Sequence, residues 1–519
     1  MGDKQGLLPD MPSPPEPGEG CDSDKYTAEA RLKVVDRKQL LIRTVDVERL
    51  IEEDHPARAI WDFVGQMDLS CYTKQVRSVA GGAGRPAFDP QLLVSLWIYS
   101  YSRGVSSARA IERLCEYDPA YQWLSGMESI SAHTLSDFRV AHAETLQELF
   151  VETLGLLSSE GLITLERVMQ DGTKVRACAS SSGFRTESRV EEYLKQAREA
   201  VEALDAQPEE EVSRQMQAAR ERARRERRER LESARKQFDE LKANKSRVER
   251  VSTSDPEARV MKQAEGGSAP SYNVQIATDA SHSLIVDIDV TQAGSDYQQL
   301  TPAMERIEQN LERVPDQVVV DGGYISSHNI VEMNNRGIDL VGPEPRVEAA
   351  ETNRRKSYKH RGVSPGYEAS KFVYDETTQT YVCPQGKRLR YDAKYERNGT
   401  MRYRYKVSEQ DCRTCPAKPL CCPRTRRGRS IERLESFPEI AAFRQKMQTD
   451  EAKAIYKTRS QVAEFPNLWI KAKLGLRQFC VRGVAKVRCE SLWAALTYNI
   501  QQWIRLRWKP MMESKLVQA

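Results

Sequence analysis

No apolar stretch in this sequence is long enough to cross a bilayer, and no basic-then-apolar leader opens it. Its longest apolar run, Leu92-Leu-Val-Ser-Leu-Trp-Ile-Tyr99, is short and ends in polar residues. Both absences predict a soluble cytoplasmic protein with no membrane partner. A Gly-x₄-Gly-Lys-Ser/Thr loop is also missing, so no nucleoside triphosphate site is marked. Histidine is scarce, at six. His133, His142, His282 and His328 stand isolated, without metal-ligand spacing. The eleven cysteines are an odd number, scattered except for one cluster. In a reducing compartment a cluster reads as metal ligands sooner than as disulfides, and Cys178, Cys480 and Cys489 read as small buried residues.

What is present is charge, unevenly spread. The net charge is only +4, yet fifteen Lys/Arg face six acids between Cys383 and Glu435, and ten face two from Pro466 onward. Basic segments of this kind suit a polyanion. The 519 residues suffice for several domains. Residues 1–30, rich in Pro, Gly and acids, read as a disordered tail. Residues 31–163 read as a helical domain. Gly81-Gly-Ala-Gly84 is a loop, Asp89 caps a helix opening at Pro90, and Ser106 or Ser107 caps the next. Thr134-Leu-Ser-Asp137 matches a capping box for a helix ending near Gly161. Short helices with tight turns fit a helix-turn-helix DNA-binding module, or a bundle that only packs.

The period then changes. Leu165–Asp171 reads as a strand ending on an acid, and residues 187–250 as a charged helical hairpin broken at Gln207-Pro208. Strands follow at 272–278 and 284–291, a helix at 299–313, a strand at 317–321, a helix from Ser327, and a strand at 338–341. Two strands paired as a hairpin before the first helix predict a mixed α/β sheet of ribonuclease-H-like topology. Residues 164–485 form this domain, interrupted by 187–250 and by a basic, cysteine-rich insertion at 346–435. A C-terminal helix occupies 486–519.

Asp171 and Asp321 each end an apolar strand, and each precedes a glycine. Two carboxylates on neighbouring strands could grip Mg²⁺, a hard cation that prefers oxygen. Taken singly, such an Asp more often forms a turn. A third acid, Glu464, stands in Tyr456-Lys-Thr-Arg459-Ser-Gln-Val-Ala-Glu464-Phe-Pro466-Asn-Leu-Trp-Ile-Lys471. Pro466 is tolerated in a first turn, so a helix is predicted to begin close to Glu464, with Lys471 on the same face. Alone, this Glu and Lys would be an ordinary exposed ion pair. The rival acids Glu451 and Glu490 lack the preceding Tyr and Arg and the following Lys.

Gln170-Asp-Gly-Thr173, Val320-Asp-Gly-Gly-Tyr324 and the Tyr456–Arg459–Glu464–Lys471 run resemble the DDE transposases of bacterial insertion sequences. The likeness extends to Gly84-Arg-Pro-Ala-Phe-Asp-Pro90, His133–Arg139, Ser254–Arg259, Ser271–Ile276 and Arg482-Gly-Val-Ala-Lys486. One departure is visible: four residues separate Arg459 from Glu464, where the commonest family signature has three. The resemblance implies two Mg²⁺ (or Mn²⁺) ions held by Asp171, Asp321 and Glu464. It also implies binding of element ends and target DNA, strand cleavage and joining by two-metal chemistry, and a homo-oligomer in the active complex. Tyr456, Arg459 and Lys471 would contact DNA or its phosphates, and the protein would be associated with the nucleoid. Two other readings share these features: a transposase-derived DNA-binding protein that no longer catalyses, and a stand-alone nuclease. Three acids retained in order favour the first reading over its inactive descendant. The basic insertion and the helical module weigh against the nuclease. Within that insertion Cys383, Cys412, Cys415 and Cys421 could supply four thiolates to structural Zn²⁺, with Cys422 a rival for the last position. Reduced structural thiols are the equal alternative.

Overall fold

The computed structural model describes residues 38, 44–74, 76, 86–141, 143–205, 214–244, 248–343, 358, 360–397, 400–434 and 438–518. The expected disordered tail, the Gly81–Gly84 loop, the Gln207-Pro208 break, His142 and the start of the second insertion lie outside these residues. Contacts divide the chain at Asp46, and all the described helices and strands lie in the second unit, Val47–Ala519. Among the described residues no helix is long and apolar enough to cross a membrane.

Among the described residues helices come first: α1 (Pro56–Val64), a single turn at Ser70–Thr73, α2 (Pro90–Ser102), α3 (Ala108–Tyr117), α4 (Pro119–Ser125), α5 (Ala132–Ala141) and α6 (Ala143–Ser159). Three of them open on proline, whose missing N–H costs nothing in a first turn. Each proline follows a capping side chain. The Ala57 N–H donates to His55 Nδ1 at 3.2 Å, Gln91 N–H to Asp89 at 2.8 Å, and Ala120 N–H to Asp118 at 2.9 Å. Ser107 precedes α3 without a side-chain cap bond. The Thr134 box does not start a helix. α5 already begins at Ala132, and the Ser131 hydroxyl accepts the Thr134 N–H at 3.2 Å, so the cap lies three residues earlier.

The main sheet contains β1 (Arg167–Arg176), β2 (Arg259–Lys262), β3 (Ser268–Asp279), β4 (Ile285–Thr291), β5 (Gln317–Val320) and β6 (Asp339–Val341). β3 pairs antiparallel with β1 on one side and with β4 and the short β2 on the other. β5 runs parallel to β1, and β6 parallel to β5. The order is therefore β4-β3-β1-β5-β6, three antiparallel strands followed by two parallel to the first. Between β1 and β2 lie α7 (Glu187–Asp205) and α8 (Arg214–Ala243), which share a small core of Val190, Leu194, Ala197, Leu231, Ala234 and Phe238. α9 (Leu300–Leu311) joins β4 to β5, and α10 (Ser327–Asn335) joins β5 to β6.

A second, antiparallel sheet follows: β7 (Val373–Asp375), β8 (Thr380–Val382), β9 (Arg388–Arg397), β10 (Thr400–Lys406) and β11 (Ser430–Leu434), paired in chain order around a separate core. Neither this sheet nor β2 was read from the sequence. Three helices close the chain: α11 (Pro438–Gln448), α12 (Asp450–Ala472) and α13 (Val484–Trp503), the last running on to Gln518. α13 is buried over most of its surface, between β4 and the helices α2 and α6. Asn499 satisfies both backbone groups of Ile285, at 2.9 and 2.8 Å. Trp97 and Trp493 donate their indole N–H groups to Leu135 and Arg139 carbonyls, at 3.1 and 3.2 Å.

Candidate active site

β1 holds Asp171 in mid-strand, not at a strand end. Its pairing with β3 is unbroken from Val168 to Arg176, whereas its pairing with β5 stops at Gln170↔Val320. β3 thus carries β1 past the point where β5 lets go. Asp321, the residue after β5, leaves the sheet beside Asp171, and its Oδ1 accepts the Gly323 N–H at 2.7 Å. Gly172 is needed for space. A Cβ there would lie 2.6 Å from Gln275 Nε2 and 2.7 Å from Asp296 Oδ1.

α12 lies across this end of the sheet. Arg459 donates to Asp171 Oδ1 at 2.8 Å, and Asn467 Nδ2 donates to Asp171 Oδ2 at 3.0 Å. Lys471 Nζ bonds the Thr173 hydroxyl and reaches the Lys174 carbonyl at 3.3 Å. These side chains lie on one flank of a helix, eight and four residues apart. The helix does not begin near Glu464. It starts at Asp450, capped by Thr449, and carries Pro466 in its interior. Pro466 is therefore not the first-turn residue expected of it, because buried contacts at Ala452, Ala463 and Ile470 hold one helix through it.

Burial pushes the Asp171 carboxyl up to about 6. Arg459 and the Gly172 amide oppose this, while Asp321 and Asp296 add to it. Burial also lowers the Lys471 ammonium, against the nearby Glu265 and Asp171.

Asp296 escaped the sequence reading. Its Oδ1 accepts from Asn273 at 2.6 Å, Gln275 at 2.8 Å and Lys174 at 3.3 Å. In Gly294-Ser-Asp296 it looks like any turn acid, and only the adjacency of β1 and β3 reveals it. Asn467 was missed too, because an amide one residue after Pro466 carries no local signal of its contact with Asp171. Glu464 is exposed on α12 and makes no hydrogen bond or ion pair among the described residues. Tyr456 packs against the main core. As the side chains stand, no three His, Cys, Asp or Glu among the described residues are grouped to hold a metal. Cys383, Cys412, Cys415, Cys421 and Cys422 line a single pocket in the second sheet. A further cavity of about 590 Å³ opens beside the main sheet, lined by Tyr297, Ser327 and His328, with Glu396 and Met401 of the second sheet.

Two protein families match the chain. The family described as "Transposase domain (DUF772)" matches residues 45–141, and "Transposase DDE domain" matches residues 382–504. The second match takes in Arg459, Glu464, Asn467, Lys471 and the cysteine cluster, but neither Asp171 nor Asp321. No curated protein matches. Among solved structures, the chain is similar to "Cryo-EM structure of piggyBac transposase synaptic complex with hairpin DNA (SNHP)". The identity is 10%, over 89% of this chain and 81% of that one, with a TM-score of 0.26. At that score the likeness adds nothing to the fold.

Proposed function

We propose that this chain, which its two family matches make a DDE transposase of the insertion-sequence type, cuts DNA at its element's ends and joins them to target DNA at Asp171 and Asp321. The observation that carries this reading is the two carboxylates side by side where β1 and β5 part, with α12 laid over them. The strand order β4-β3-β1-β5-β6 supports a ribonuclease-H-like reading of the main sheet.

The donor set fits a divalent cation. Asp171 and Asp321 offer only hard oxygen ligands; burial chiefly, with a smaller repulsion from Asp321 and Asp296, raises Asp171, and a cation would favour its charged form. Asp171, Asp321 and Glu464 would hold Mg²⁺ or Mn²⁺, two ions per site. Glu464 lies on α12, the helix that contacts Asp171, but is exposed and not grouped with the pair, so this reading requires α12 or its side chain to move on metal binding. Bound ions would activate water and neutralise charge on the leaving oxygen.

The protein's own groups do the positioning. Asn467 fixes the plane of the Asp171 carboxylate, while Arg459 and Lys471 bring positive charge to backbone phosphates. Tyr456 would steady the DNA alongside them. In cleavage, water oxygen bonds to phosphorus as the P–O3′ bond breaks. In joining, the freed 3′-hydroxyl bonds to a target phosphorus and expels the target's 3′-oxygen. One phosphodiester bond replaces another, so no nucleotide cofactor is required. The second sheet suits the DNA backbone. Arg390, Lys394, Arg402 and Arg404 are interleaved with tyrosines, and Lys394 lies 5.2 Å from the Tyr403 ring. Processing two ends together calls for a homo-oligomer.

The test uses labelled element-end DNA with a supercoiled target and Mg²⁺. Joined product is expected from the native chain and none from Asp321→Asn. Binding without cleavage would mark an inactive, transposase-derived DNA-binding protein. Cleavage without joining would mark a nuclease.

A further inference from the structure

Among the described residues the second sheet is held by a core of seven buried apolar side chains, and two of these are Cys421 and Cys422. Domains with so little core usually need a staple. Five thiols line the pocket beside this core. Cys383 opens the turn Cys383-Pro-Gln-Gly-Lys387, where its N–H bonds the Lys387 carbonyl at 2.9 Å and its carbonyl accepts the Gly386 N–H at 2.8 Å. Gly386 has φ +73°, which suits glycine. The turn aims the Lys387 N–H at Cys383 Sγ, 3.2 Å away. Cys412 repeats the device, accepting the Arg429 N–H on its Sγ at 3.4 Å. Two residues after Arg413, Cys415 bonds back to the Cys412 carbonyl at 3.3 Å. Amide donors directed at sulfur favour the thiolate over the thiol.

We propose that this pocket is a structural zinc site, with thiolates from Cys383, Cys412 and Cys415 and a fourth from the adjacent Cys421–Cys422 pair. One CxxC, one upstream turn and one downstream pair match a tetrahedral all-sulfur ligand set. Among the described residues no three ligating side chains converge, so binding requires the sulfurs to draw together within the pocket they line. The site is independent of the active-site reading, because none of its residues touches Asp171 or Asp321.

Elemental analysis of the full chain, purified without chelator, tests the proposal. About one zinc per chain is expected. Cys412→Ser with Cys415→Ser should lose it, and one of Cys421→Ser and Cys422→Ser should lose it while the other retains it. Zinc-free native protein that takes up none on addition would overturn the proposal, as would full retention in the double variant. Should the double variant not fold, cobalt decides with the native chain. Growth on Co²⁺ should give sulfur-to-cobalt charge-transfer absorption with tetrahedral ligand-field bands. Their absence would overturn the site.

Discussion

Asp171 carries an unfavourable charge in the folded chain, and its consequences have a definite sign. Its folded value, about 6, lies above its ordinary 3.8. The native state therefore holds a proton that the unfolded chain has released, and stability falls as pH rises between those values. A bound cation reverses this, because it binds the carboxylate and stabilises the native state by mass action. Mg²⁺ is expected to raise the melting temperature more at pH 8 than at pH 5, and not at all in Asp321→Asn. Equal shifts at both pH values would refute a carboxylate site. Asn467 gives a second expectation. Truncating a side chain that orients a metal ligand costs about 10–100-fold in activity or metal affinity. Asn467→Ala should show that loss in cleavage with DNA affinity unchanged, as read by end-DNA cleavage rates and gel shift. Asp171 and Asp321 were conspicuous because an apolar strand, an acid and a glycine make a local pattern, although Asp171 lies in mid-strand and not at the strand end which that pattern suggests. Asn467 and Asp296 were not, since their importance lies in contacts between α12, β1 and the loop after β4.

Among the elements, α12 was misjudged because proline has two readings. At a first turn it is harmless, while in an interior it removes the hydrogen bond to the Val462 carbonyl and crowds the preceding turn, at about 3 kcal/mol. The strands at 272–278 and 317–321 were easier, being dense in β-branched residues and bounded by turns. The second sheet was hidden by its own composition, since alternating Arg and Tyr reads as a basic DNA-binding stretch before it reads as strand. Pro466→Ala is expected to stabilise the chain by about 1 kcal/mol or more and to slow cleavage. Arg459 and Asn467 grip Asp171 from opposite sides of the proline, so any change in helix path shifts one contact against the other. Unchanged melting and unchanged rate together would show that Pro466 sets neither. On the helical hairpin, Arg235 forms ion pairs with Glu187, Glu191 and Asp239 at the surface, and such pairs contribute little. Phe238, 4% exposed, should dominate instead. Phe238→Ala is expected to cost about 3–5 kcal/mol, with a far smaller loss for Arg235→Ala, both measured by denaturant unfolding.

For the molecule as a whole, the decisive feature is the position of α13. The N-terminal helices, the main sheet and the closing helices share one continuous core, running from Ala57 to Trp508. A stretch read from sequence as a terminal helix is the central pillar. Its apolar residues cover nearly every face, which in sequence gives no amphipathic stripe to indicate a partner. Trp493 is 1% exposed and packs at a tilt against both Trp97 and Phe138, with ring centroids 6.4 Å away in each case. Family matches at 45–141 and 382–504 thus mark two stretches, far apart in the chain, that fold against each other. Trp493→Ala should cost about 3–5 kcal/mol, and the loss should reach both stretches together. Hydrogen exchange would then rise in α2 and α5 as well as in α13. Exchange rising in α13 alone would mean that the N-terminal helices hold their own core, against what the shared packing requires.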